Sequence, residues 1–591
     1  MISLTVNNVD IQVPKGTNVL DAARGMGIRI PTLCFIENYF PLGSCRVCLV
    51  EIEGARALAA SCATPVAEGM KVYTNTKRVR DARRKTVELL LSEHDGDCQT
   101  CDRNRDCELQ ELAWELGVSE TPFTGERTAG EIDNSTPALV RDSAKCIKCR
   151  RCITVCDDVQ SVGALFPQGR GFNTRISPAF QRGLDTVVCV QCGQCAAVCP
   201  VGAISERNHV DGVWAALDNP NKHVIVQTAP AIRAALGECF GLEPGTLVTG
   251  RMVSALRQLS FDGVFDTNFA ADLTIIEEGT ELLVRLKKAL VDGEKVALPQ
   301  FTSCSPGWIK FCEHYYPELL DHLSSCKSPQ QMFGAVAKTY YAEKMGVDPA
   351  DMVVVSVMPC TAKKYECQRE EMFDSGYQDV DYVLTTRELG RMINAAHIDF
   401  VNLEDDTADS LMANGSGAAD IFANTGGVME AAIRTVYEIV TGRELPMENL
   451  HVQPVMGLEG VKEATLKLEG CVPEWSFLEG VEAKVAVAHG LANARKIMEK
   501  VKAGEADYHF VEVMTCPGGC IGGGGQPRLT DNEIRTKRMK AIYLEDEGKQ
   551  LRKSHENPEI TQIYEEFLGE PLGEKSHHLL HTKYVKRGVI Q

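Results

Sequence analysis

Two runs of cysteines in the sequence share one spacing. The members of each run are separated by two, two and three residues: Cys146, Cys149, Cys152 and Cys156 in the first run, and Cys189, Cys192, Cys195 and Cys199 in the second. This spacing is typical of a pair of 4Fe-4S clusters in which the last cysteine of each run ligates the cluster of the other run. Zinc sites do not use three cysteines spaced in this way. The two runs therefore predict two cubane clusters and electron transfer.

Two further groups of candidate ligands precede these runs. The first group is four cysteines with ten, two and thirteen residues between them: Cys34, Cys45, Cys48 and Cys62. The second group is one histidine and three cysteines: His94, Cys98, Cys101 and Cys107. Four such ligands suit either an iron–sulfur cluster or a zinc ion, so the residues alone leave both metals open.

Local patterns predict the elements that position these ligands. Residues 2–13 alternate apolar and polar side chains around an Asn-Asn turn, which predicts a β-hairpin, and residues 21–24 favour a short helix. Residues 87–91 form an apolar helical face that would present His94 where the helix ends. A histidine in that position is more often a core residue, but the three cysteines that follow favour a ligand.

Beyond about residue 210 the pattern predicts strands that are buried on both faces. Four apolar runs suit a mostly parallel α/β sheet: Val224–Val226, Val296–Leu298, Val353–Val357 and Phe510–Val513. Each run leads into a loop with proline or cysteine. Ligands bind beyond the carboxyl ends of such strands, so we expect these loops to converge on one site.

Length and composition exclude several classes of protein. The 591 residues are 44% hydrophobic and 24% charged, which indicates several globular domains and rules out a single compact one. A formal net charge of -19 gives no basis for binding nucleic acid or anionic lipid. Neither a membrane span nor a signal peptide is recognisable. We therefore expect a cytoplasmic protein whose 24 cysteines do not form a disulfide framework. Most of them are expected to bind metal, and five single ones are expected to be core residues: Cys239, Cys312, Cys326, Cys367 and Cys471.

Three motifs in the body resemble the signature motifs of the iron-iron (FeFe) hydrogenases. Residues 302–308 read Thr-Ser-Cys-Ser-Pro-Gly-Trp, and residues 358–366 read Met-Pro-Cys-Thr-Ala-Lys-Lys-Tyr-Glu. Residues 512–520 read Glu-Val-Met-Thr-Cys-Pro-Gly-Gly-Cys, and a glycine-rich stretch follows at 522–527. The two N-terminal ligand groups are similar to the 2Fe-2S domain and to the 4Fe-4S site of one histidine and three cysteines that these hydrogenases share with the large subunit of complex I. The resemblance covers nearly the whole chain.

The resemblance implies a multidomain α+β and α/β fold with five consecutive parts. These are a β-grasp 2Fe-2S domain at 1–78, a small helical His/Cys 4Fe-4S domain at 79–125, a two-cluster ferredoxin domain at 126–209, a large α/β catalytic domain at 210–534, and a C-terminal helical belt at 535–591 that is similar to a hydrogenase small subunit.

The resemblance also implies one 2Fe-2S cluster, three accessory 4Fe-4S clusters and an H-cluster. The H-cluster is a 4Fe-4S cube joined by a cysteine thiolate to a two-iron centre that bears CO, cyanide and an aza-dithiolate. By this resemblance Cys360 and Cys516 are cube ligands, Cys520 is the bridging thiolate, and Lys363 donates to a cyanide. Six residues would line the pocket: Pro230, Ala231, Gln330, Met358, Phe422 and Met514. Relatives often have serine where this chain has Ala231.

The first motif departs from the family pattern. Relatives carry two adjacent cysteines, the first for proton transfer and the second as a cube ligand, whereas this chain has Cys304 followed by Ser305. The spacing from Ser305 to Cys360 matches that between the family's ligands. Three alternatives remain open: Ser305 ligates through oxygen, Cys304 becomes the ligand, or the cube is weakly held. We favour Cys304 as the proton donor.

A proton route is also implied by the resemblance. The residues at its positions are Cys304, Glu278, Ser324, Glu281 and Arg285. Glu278 and Glu281 are three residues apart and would share one face of a helix. Without the motifs, an ordinary solvated acidic face would be the preferred interpretation.

The resulting hypothesis is an FeFe hydrogenase that interconverts dihydrogen with two protons and two electrons. Its electrons would be exchanged with ferredoxin or with NAD(P)-linked flavin and iron–sulfur subunits, and maturation proteins would supply the two-iron centre. This chain shows no dinucleotide-binding fingerprint. The alternatives are a hydrogen sensor, an iron–sulfur assembly factor, and a non-catalytic electron-transfer protein like the large subunit of complex I.

Overall fold

The computed structural model describes residues 1–37, 39–127, 130–412, 414–528 and 530–588. Its N-terminal part is a five-stranded sheet. The predicted hairpin forms as antiparallel strands Ile2–Val6 and Val9–Val13, and its two turn residues have the positive φ angles, 49° and 68°, that asparagine tolerates. The remaining elements of this part are strands Leu49–Ile52, Ala59–Ala60 and Lys71–Tyr73, and helix Val19–Arg24.

The next two parts are small and contain few regular elements. Helix Lys77–Glu93 ends one residue before His94, as the apolar face predicts. Helix Glu108–Glu115 begins directly after Cys107. The accessory part that follows contains a three-stranded sheet of Ile132–Asp133, Leu139–Asp142 and Ile204–Glu206, a hairpin of Phe166–Gln168 and Arg175–Ser177, and helices Arg151–Thr154 and Gln194–Val198.

The body contains two four-stranded sheets instead of the one mostly parallel sheet that the apolar runs suggested. One sheet is entirely parallel, in the order Gly263–Asp266, His223–Thr228, Met352–Met358 and Tyr382–Thr385. The other has the order Gln300–Phe301, Phe510–Met514, Glu482–His489 and Val461–Lys467, and its last strand is antiparallel. The hydrophobic pattern marks a buried strand but does not specify its neighbours.

One predicted strand lies in the wrong place. Residues 296–298 form a loop, and the strand is the short segment Gln300–Phe301 that pairs with Phe510 and Val511. Pro299 has no N–H to donate to a ladder, so pairing begins only after it. The loop that follows still leads from the carboxyl end of this strand into Cys304.

Helices cover the two sheets. They span Val210–Leu217, Thr249–Gln258, Asn268–Leu290, Pro306–Tyr315, Pro329–Val336, Ala342–Met345, Ala362–Glu366, Thr386–Ala395, Gly417–Asp420, Gly427–Thr441 and Leu491–Lys502. Helix Asn268–Leu290 is largely buried and carries Glu277, Glu278 and Glu281. In the described part of the chain, no helix has the length and apolar character needed to cross a membrane.

The C-terminal segment packs along the body. Its helices are Asn532–Gly548, Pro558–Ile563 and Glu574–Leu580. The proposed boundary between residues 534 and 535 therefore falls inside a helix. The end of this segment pairs with the body, since the N–H of Lys327 donates to the carbonyl of Leu580 at 2.7 Å and the N–H of Thr582 donates to the carbonyl of Ser325 at 2.7 Å.

Candidate active site and metal centres

The loops after four strands, two from each sheet, enclose one internal cavity. Its empty volume is about 760 Å³. Four cysteines from these loops line it: Cys304, Cys360, Cys516 and Cys520. Because the carboxyl ends of the strands face each other across the cavity, thiols far apart in sequence are brought together, as the sequence predicts.

The rest of the cavity wall is mostly apolar. Five of the six expected pocket residues line it: Pro230, Gln330, Met358, Phe422 and Met514. Ala231 is not among the described residues of the wall. It is fully buried, and its carbonyl accepts a hydrogen bond from Gln526 Nε2 at 3.2 Å, while Ala229 takes the place at the wall. The sequence pattern did not assign Thr267, Ala271 or Thr515 to this wall; Thr515 lies inside the third motif and could have been found there.

Glycines of the third motif let loops approach one another closely. A Cβ at Gly523 would lie 2.1 Å from the carbonyl oxygen of Pro359, and one at Gly524 would lie 2.2 Å from the carbonyl oxygen of Cys192. Neither contact is possible with a side chain. The motif therefore packs against both the second motif and the accessory part that carries the second cysteine run.

Lys363 is the cation of the cavity wall. Its Nζ donates to Glu366 Oε2 at 2.9 Å and to the carbonyl of Cys304 at 3.1 Å. The same carboxylate oxygen accepts from Ser328 Oγ at 2.8 Å and from Gln330 Nε2 at 3.2 Å. A buried ion pair held by further hydrogen bonds fixes the ammonium where it can meet an anionic ligand.

Cys304 and Ser305 have different surroundings. The pKa of the Cys304 thiol is raised well above its usual range by burial and by the nearby Glu278 carboxylate. Within the described part of the chain, no hydrogen bond reaches the Cys304 sulfur. The Ser305 hydroxyl, by contrast, lies 2.7 Å from Thr515 Oγ1 and accepts the backbone N–H of Thr515 at 3.2 Å.

A chain of polar groups runs from Cys304 toward the surface. Burial, and secondarily the charge of Glu281, raises the pKa of Glu278 to about 8, and Ser324 contacts Glu278 as well as Glu281. Ser324 Oγ donates to Glu281 Oε2 at 2.7 Å, and Arg285 donates to Glu281 Oε1 at 2.7 Å. The structure thus brings together all five residues of the expected route. The solvated acidic face is the wrong alternative for Glu278, which is 2% exposed.

The C-terminal segment adds a histidine to this region. His581 Nδ1 lies 2.8 Å from Ser325 Oγ, and its Nε2 lies 3.1 Å from Glu277 Oε2. The backbone N–H of Ser325 donates to Glu281 at 3.1 Å. The sequence pattern assigned no role to His581.

The N-terminal ligand groups also gather in space. Cys34, Cys45, Cys48 and Cys62 are all buried, with Cys48 Sγ at 3.5 Å from Cys62 Sγ and the N–H of Cys45 at 3.5 Å from Cys34 Sγ. Hydrogen bonding of the thiol of Cys34 with those of Cys45 and Cys62 closes the group.

His94 is oriented by a backbone carbonyl. Its Nδ1 lies 2.9 Å from the oxygen of Lys145, so Nδ1–H is the donor and Nε2 is left with its lone pair. Burial lowers the pKa of the ring, which favours the neutral form that binds metal. A Cβ at Gly202 would lie 2.6 Å from Cys101 Sγ and 3.4 Å from Lys145 Cδ, so Cys101 and the side chain of Lys145 both lie close to Gly202.

The two cysteine runs line two small cavities with exchanged fourth members. The first cavity, of about 420 Å³, is lined by Cys146, Cys149, Cys152 and Cys199. The second, of about 460 Å³, is lined by Cys189, Cys192, Cys195 and Cys156. This crossed arrangement is the one that the spacing predicts.

Family models match five consecutive parts of the chain. Residues 222–524 match the C-terminal domain of the iron only hydrogenase large subunit, and residues 532–587 match the iron hydrogenase small subunit. Residues 1–77 match a 2Fe-2S iron-sulfur cluster binding domain, 83–122 the NADH-ubiquinone oxidoreductase-G iron-sulfur binding region, and 145–203 a 4Fe-4S dicluster domain. The chain belongs to the iron-only (FeFe) hydrogenase family. It is an enzyme that interconverts dihydrogen with protons and electrons, and its N-terminal iron–sulfur domains relay the electrons.

Individual relatives match over most of their length. The NADP-reducing hydrogenase subunit HndD of Solidesulfovibrio fructosivorans is 52% identical, with 99% of each chain covered. Iron hydrogenase 1 of Clostridium pasteurianum is 40% identical, covering 99% of this chain and all of the relative. A solved structure of apo FeFe hydrogenase from Chlamydomonas reinhardtii is 46% identical with a TM-score of 0.58, and the match covers 65% of this chain and 100% of that one.

Proposed function

We propose that this hydrogenase holds an H-cluster in the cavity between its two sheets and feeds it through four accessory clusters. The observation that carries the proposal is that thiols from separate loops line one apolar cavity with the ion-paired Lys363 at its wall. Anionic diatomic ligands require such a cation, and uncharged ones require apolar walls.

The accessory ligands follow from the four groups of residues. A 2Fe-2S cluster is proposed on Cys34, Cys45, Cys48 and Cys62, and a 4Fe-4S cluster on His94, Cys98, Cys101 and Cys107. Two more 4Fe-4S clusters are proposed in the crossed cavities. Iron, acid-labile sulfide and zinc analysis of the purified protein tests this assignment, and zinc without sulfide at the first two groups contradicts it.

In the catalytic domain, Cys360, Cys516 and Cys520 are proposed to hold the cube, with Cys520 shared by the two-iron centre. When bound, this cofactor supplies the redox chemistry of dihydrogen. Lys363 holds an anionic ligand, and Pro230, Met358, Phe422 and Met514 exclude water from it. Gln330 keeps the partner of Lys363 in place through its bond to Glu366.

Proton movement is proposed to use groups of the chain itself. Cys304 exchanges a proton at the cavity, and Glu278 carries it because its raised pKa keeps the carboxyl protonated near neutral pH. Ser324 links Glu278 to Glu281, and Arg285 anchors Glu281 near the surface.

Infrared spectroscopy and turnover together test the assignment. Protein matured with the two-iron centre should show CO and cyanide bands and evolve hydrogen with reduced viologen. The variant Lys363→Met should shift the cyanide bands and lose most turnover, whereas Lys467→Met, on an exposed strand end, serves as the control. Absence of both bands and turnover in fully matured native protein contradicts the proposal and favours a sensor or assembly role.

The electron partner is proposed from the relative's name. HndD is a subunit of an NADP-reducing hydrogenase, so we infer NADP-linked flavin and iron–sulfur partner subunits for this chain, with ferredoxin as the alternative. Co-purification from the native cells, followed by hydrogen-dependent NADP reduction by the isolated complex, distinguishes the two. Turnover with ferredoxin and none with NADP favours the alternative.

A further inference from the structure

Ser305 stands where the family has a ligand cysteine, and its hydroxyl bonds to another loop instead of capping the helix that follows it. It precedes helix Pro306–Tyr315 as the N-cap, yet its hydroxyl makes no capping bond to that helix in the described structure. Serine is favoured at this position because it normally accepts an N–H of the first turn. Here the hydroxyl instead meets Thr515, at 2.7 Å from its Oγ1 and 3.2 Å from its backbone nitrogen.

Both partners are held firmly by their own surroundings. The carbonyl of Ser305 accepts the N–H of Ile309 at 3.1 Å, which fixes the start of the helix. Gly307 packs against Thr515 so closely that a Cβ there would lie 2.9 Å from Thr515 Cγ2. Ser305 and Thr515 both line the cavity that contains Cys360, Cys516 and Cys520.

We propose that Thr515 is a positioning residue that makes Ser305 Oγ the fourth protein ligand of the cube. This inference rests on the proposed function. On binding iron, the hydroxyl of Ser305 forms an Fe–O bond and releases its proton to solvent. The N–H and O–H of Thr515 then both donate to that oxygen and offset the negative charge it retains. A serine oxygen without such donors is a poor match for iron in a sulfur-ligated cluster.

In this assignment Cys304 stays outside the ligand set. Its carbonyl accepts from Lys363 Nζ at 3.1 Å, whereas the hydroxyl of Ser305 meets Thr515. The cube therefore has three thiolates and one oxygen, and Cys304 keeps its proton-transfer role.

The test compares variants at position 515 in two backgrounds. Thr515→Ser keeps both donors, and Thr515→Val keeps the shape and the N–H but loses the O–H. Ser305→Cys supplies a thiolate that needs neither donor. The readouts are iron bound per chain, the electron paramagnetic resonance signal of the cube, and its reduction potential, all measured on full-length protein before the two-iron centre is added.

We expect Thr515→Val to weaken retention of the cube about tenfold or more against a chelator, as loss of an outer hydrogen-bond partner does at metal sites, and Thr515→Ser to behave as the native chain. In the Ser305→Cys background, Thr515→Val should have no effect on retention, and the potential should rise relative to the native chain. Unchanged retention in Thr515→Val, or an equal loss in both backgrounds, overturns the inference.

Two further outcomes test the ligand assignment and the proposed function separately. If Cys304→Ala empties the cube while Ser305→Ala does not, Cys304 is the ligand and the inference is wrong. If the native protein holds the cube but shows no CO bands and no turnover after maturation, the proposed function fails independently of what ligates the cube.

Discussion

At the scale of single residues, the proposed proton route depends on Glu278. Burial raises its pKa to about 8 from an ordinary value near 4.5, so the carboxyl is protonated below about pH 8 and ionises above it. Glu278→Gln keeps the shape but cannot exchange a proton. We expect hydrogen evolution to fall about 100-fold or more, with iron content and infrared bands unchanged.

The pH dependence provides a second check on Glu278. Its folded-state pKa lies above its unfolded value, so the native state binds more protons between about pH 4.5 and 8 and loses stability as pH rises through that window. Thermal unfolding of Glu278→Gln should lack this component. Glu294→Gln, an exposed position after the same helix, should keep both the activity and the pH dependence of the native chain.

Residue spacing predicted the cysteine groups because the ligands of a cluster lie near one another along the chain. It could not predict the hydrogen bonds that orient Ser305, whose partner Thr515 is 210 residues away. The relay was expected only through the family resemblance. Ser324 is 43 residues from Glu281, and no periodicity links two such positions.

At the scale of elements, the crossed cysteine runs carry a distinct prediction. Cys156 comes from the first run but lies in the cavity of the second. Cys156→Ser should therefore impair the cluster built on Cys189, Cys192 and Cys195. Cys199→Ser should impair the other cluster, and paramagnetic resonance with potentiometry should resolve the two losses. Loss of the same signal in both variants contradicts the crossed arrangement.

The C-terminal segment carries another prediction at this scale. His581 joins buried Glu277 to Ser325, which in turn donates its N–H to Glu281. His581→Ala removes a hydrogen-bond partner from Glu277 and from Ser325. Leaving a buried polar group without its partner lowers the free energy of unfolding by about 1–3 kcal/mol. We expect a lower unfolding temperature of the catalytic domain by calorimetry and slower hydrogen evolution. His578→Ala, at an exposed position on the helix that ends just before His581, is the matched control.

Apolar runs located three of the four strands that lead into the cavity, because a strand covered on both faces leaves a continuous signature. The prediction was wrong at Val296–Leu298. There the position of the strand depends on which backbone groups can pair and not on the apolar character of the side chains. The division into two sheets also escaped the sequence pattern. Strand order depends on which strand edges meet in three dimensions. Parallel strands carry similar apolar side chains, so residue type does not identify the neighbours of a strand.

At the scale of the whole molecule, hydrogen bonds join the accessory part to the body where the proposed electron path would cross between them. Gln194 Nε2 donates to the carbonyl of Gly522 at 2.9 Å, and Thr361 Oγ1 donates to the carbonyl of Gln191 at 2.7 Å. These bonds join the loop of the second cysteine run directly to the second and third motifs. The cavity of Cys192 is thereby held beside that of Cys516 without a flexible linker.

A buried ion pair strengthens the same interface and yields the last prediction. Glu206, at the end of strand Ile204–Glu206, accepts from Arg387 at 2.7 Å and lies 3.4 Å from Arg528. Burial opposes its ionisation, but the charges of Arg387 and Arg528 hold the pKa of Glu206 well below its usual range. Its contribution to stability is therefore present above about pH 4.5 and is lost as pH falls through the lower, folded-state pKa.

Glu206→Gln should remove that contribution and leave buried Arg387 without its ion-pair partner, whereas Arg528 keeps its pair with Asp106 at 2.6 Å. Breaking a buried pair in this way costs about 3–5 kcal/mol, so we expect a lower unfolding temperature at neutral pH and a smaller loss of stability on acidification than in the native chain. Electron delivery from the proposed accessory clusters should slow in stopped-flow reduction, because Arg387 joins Glu206 of the accessory part to the carbonyl of Gly524 beside the third motif. Glu131→Gln, whose exposed pair with Arg175 lies away from this interface, should match the native chain in all three measurements. Native-like electron delivery in Glu206→Gln, or equally slowed delivery in Glu131→Gln, contradicts a role of this ion pair in electron transfer.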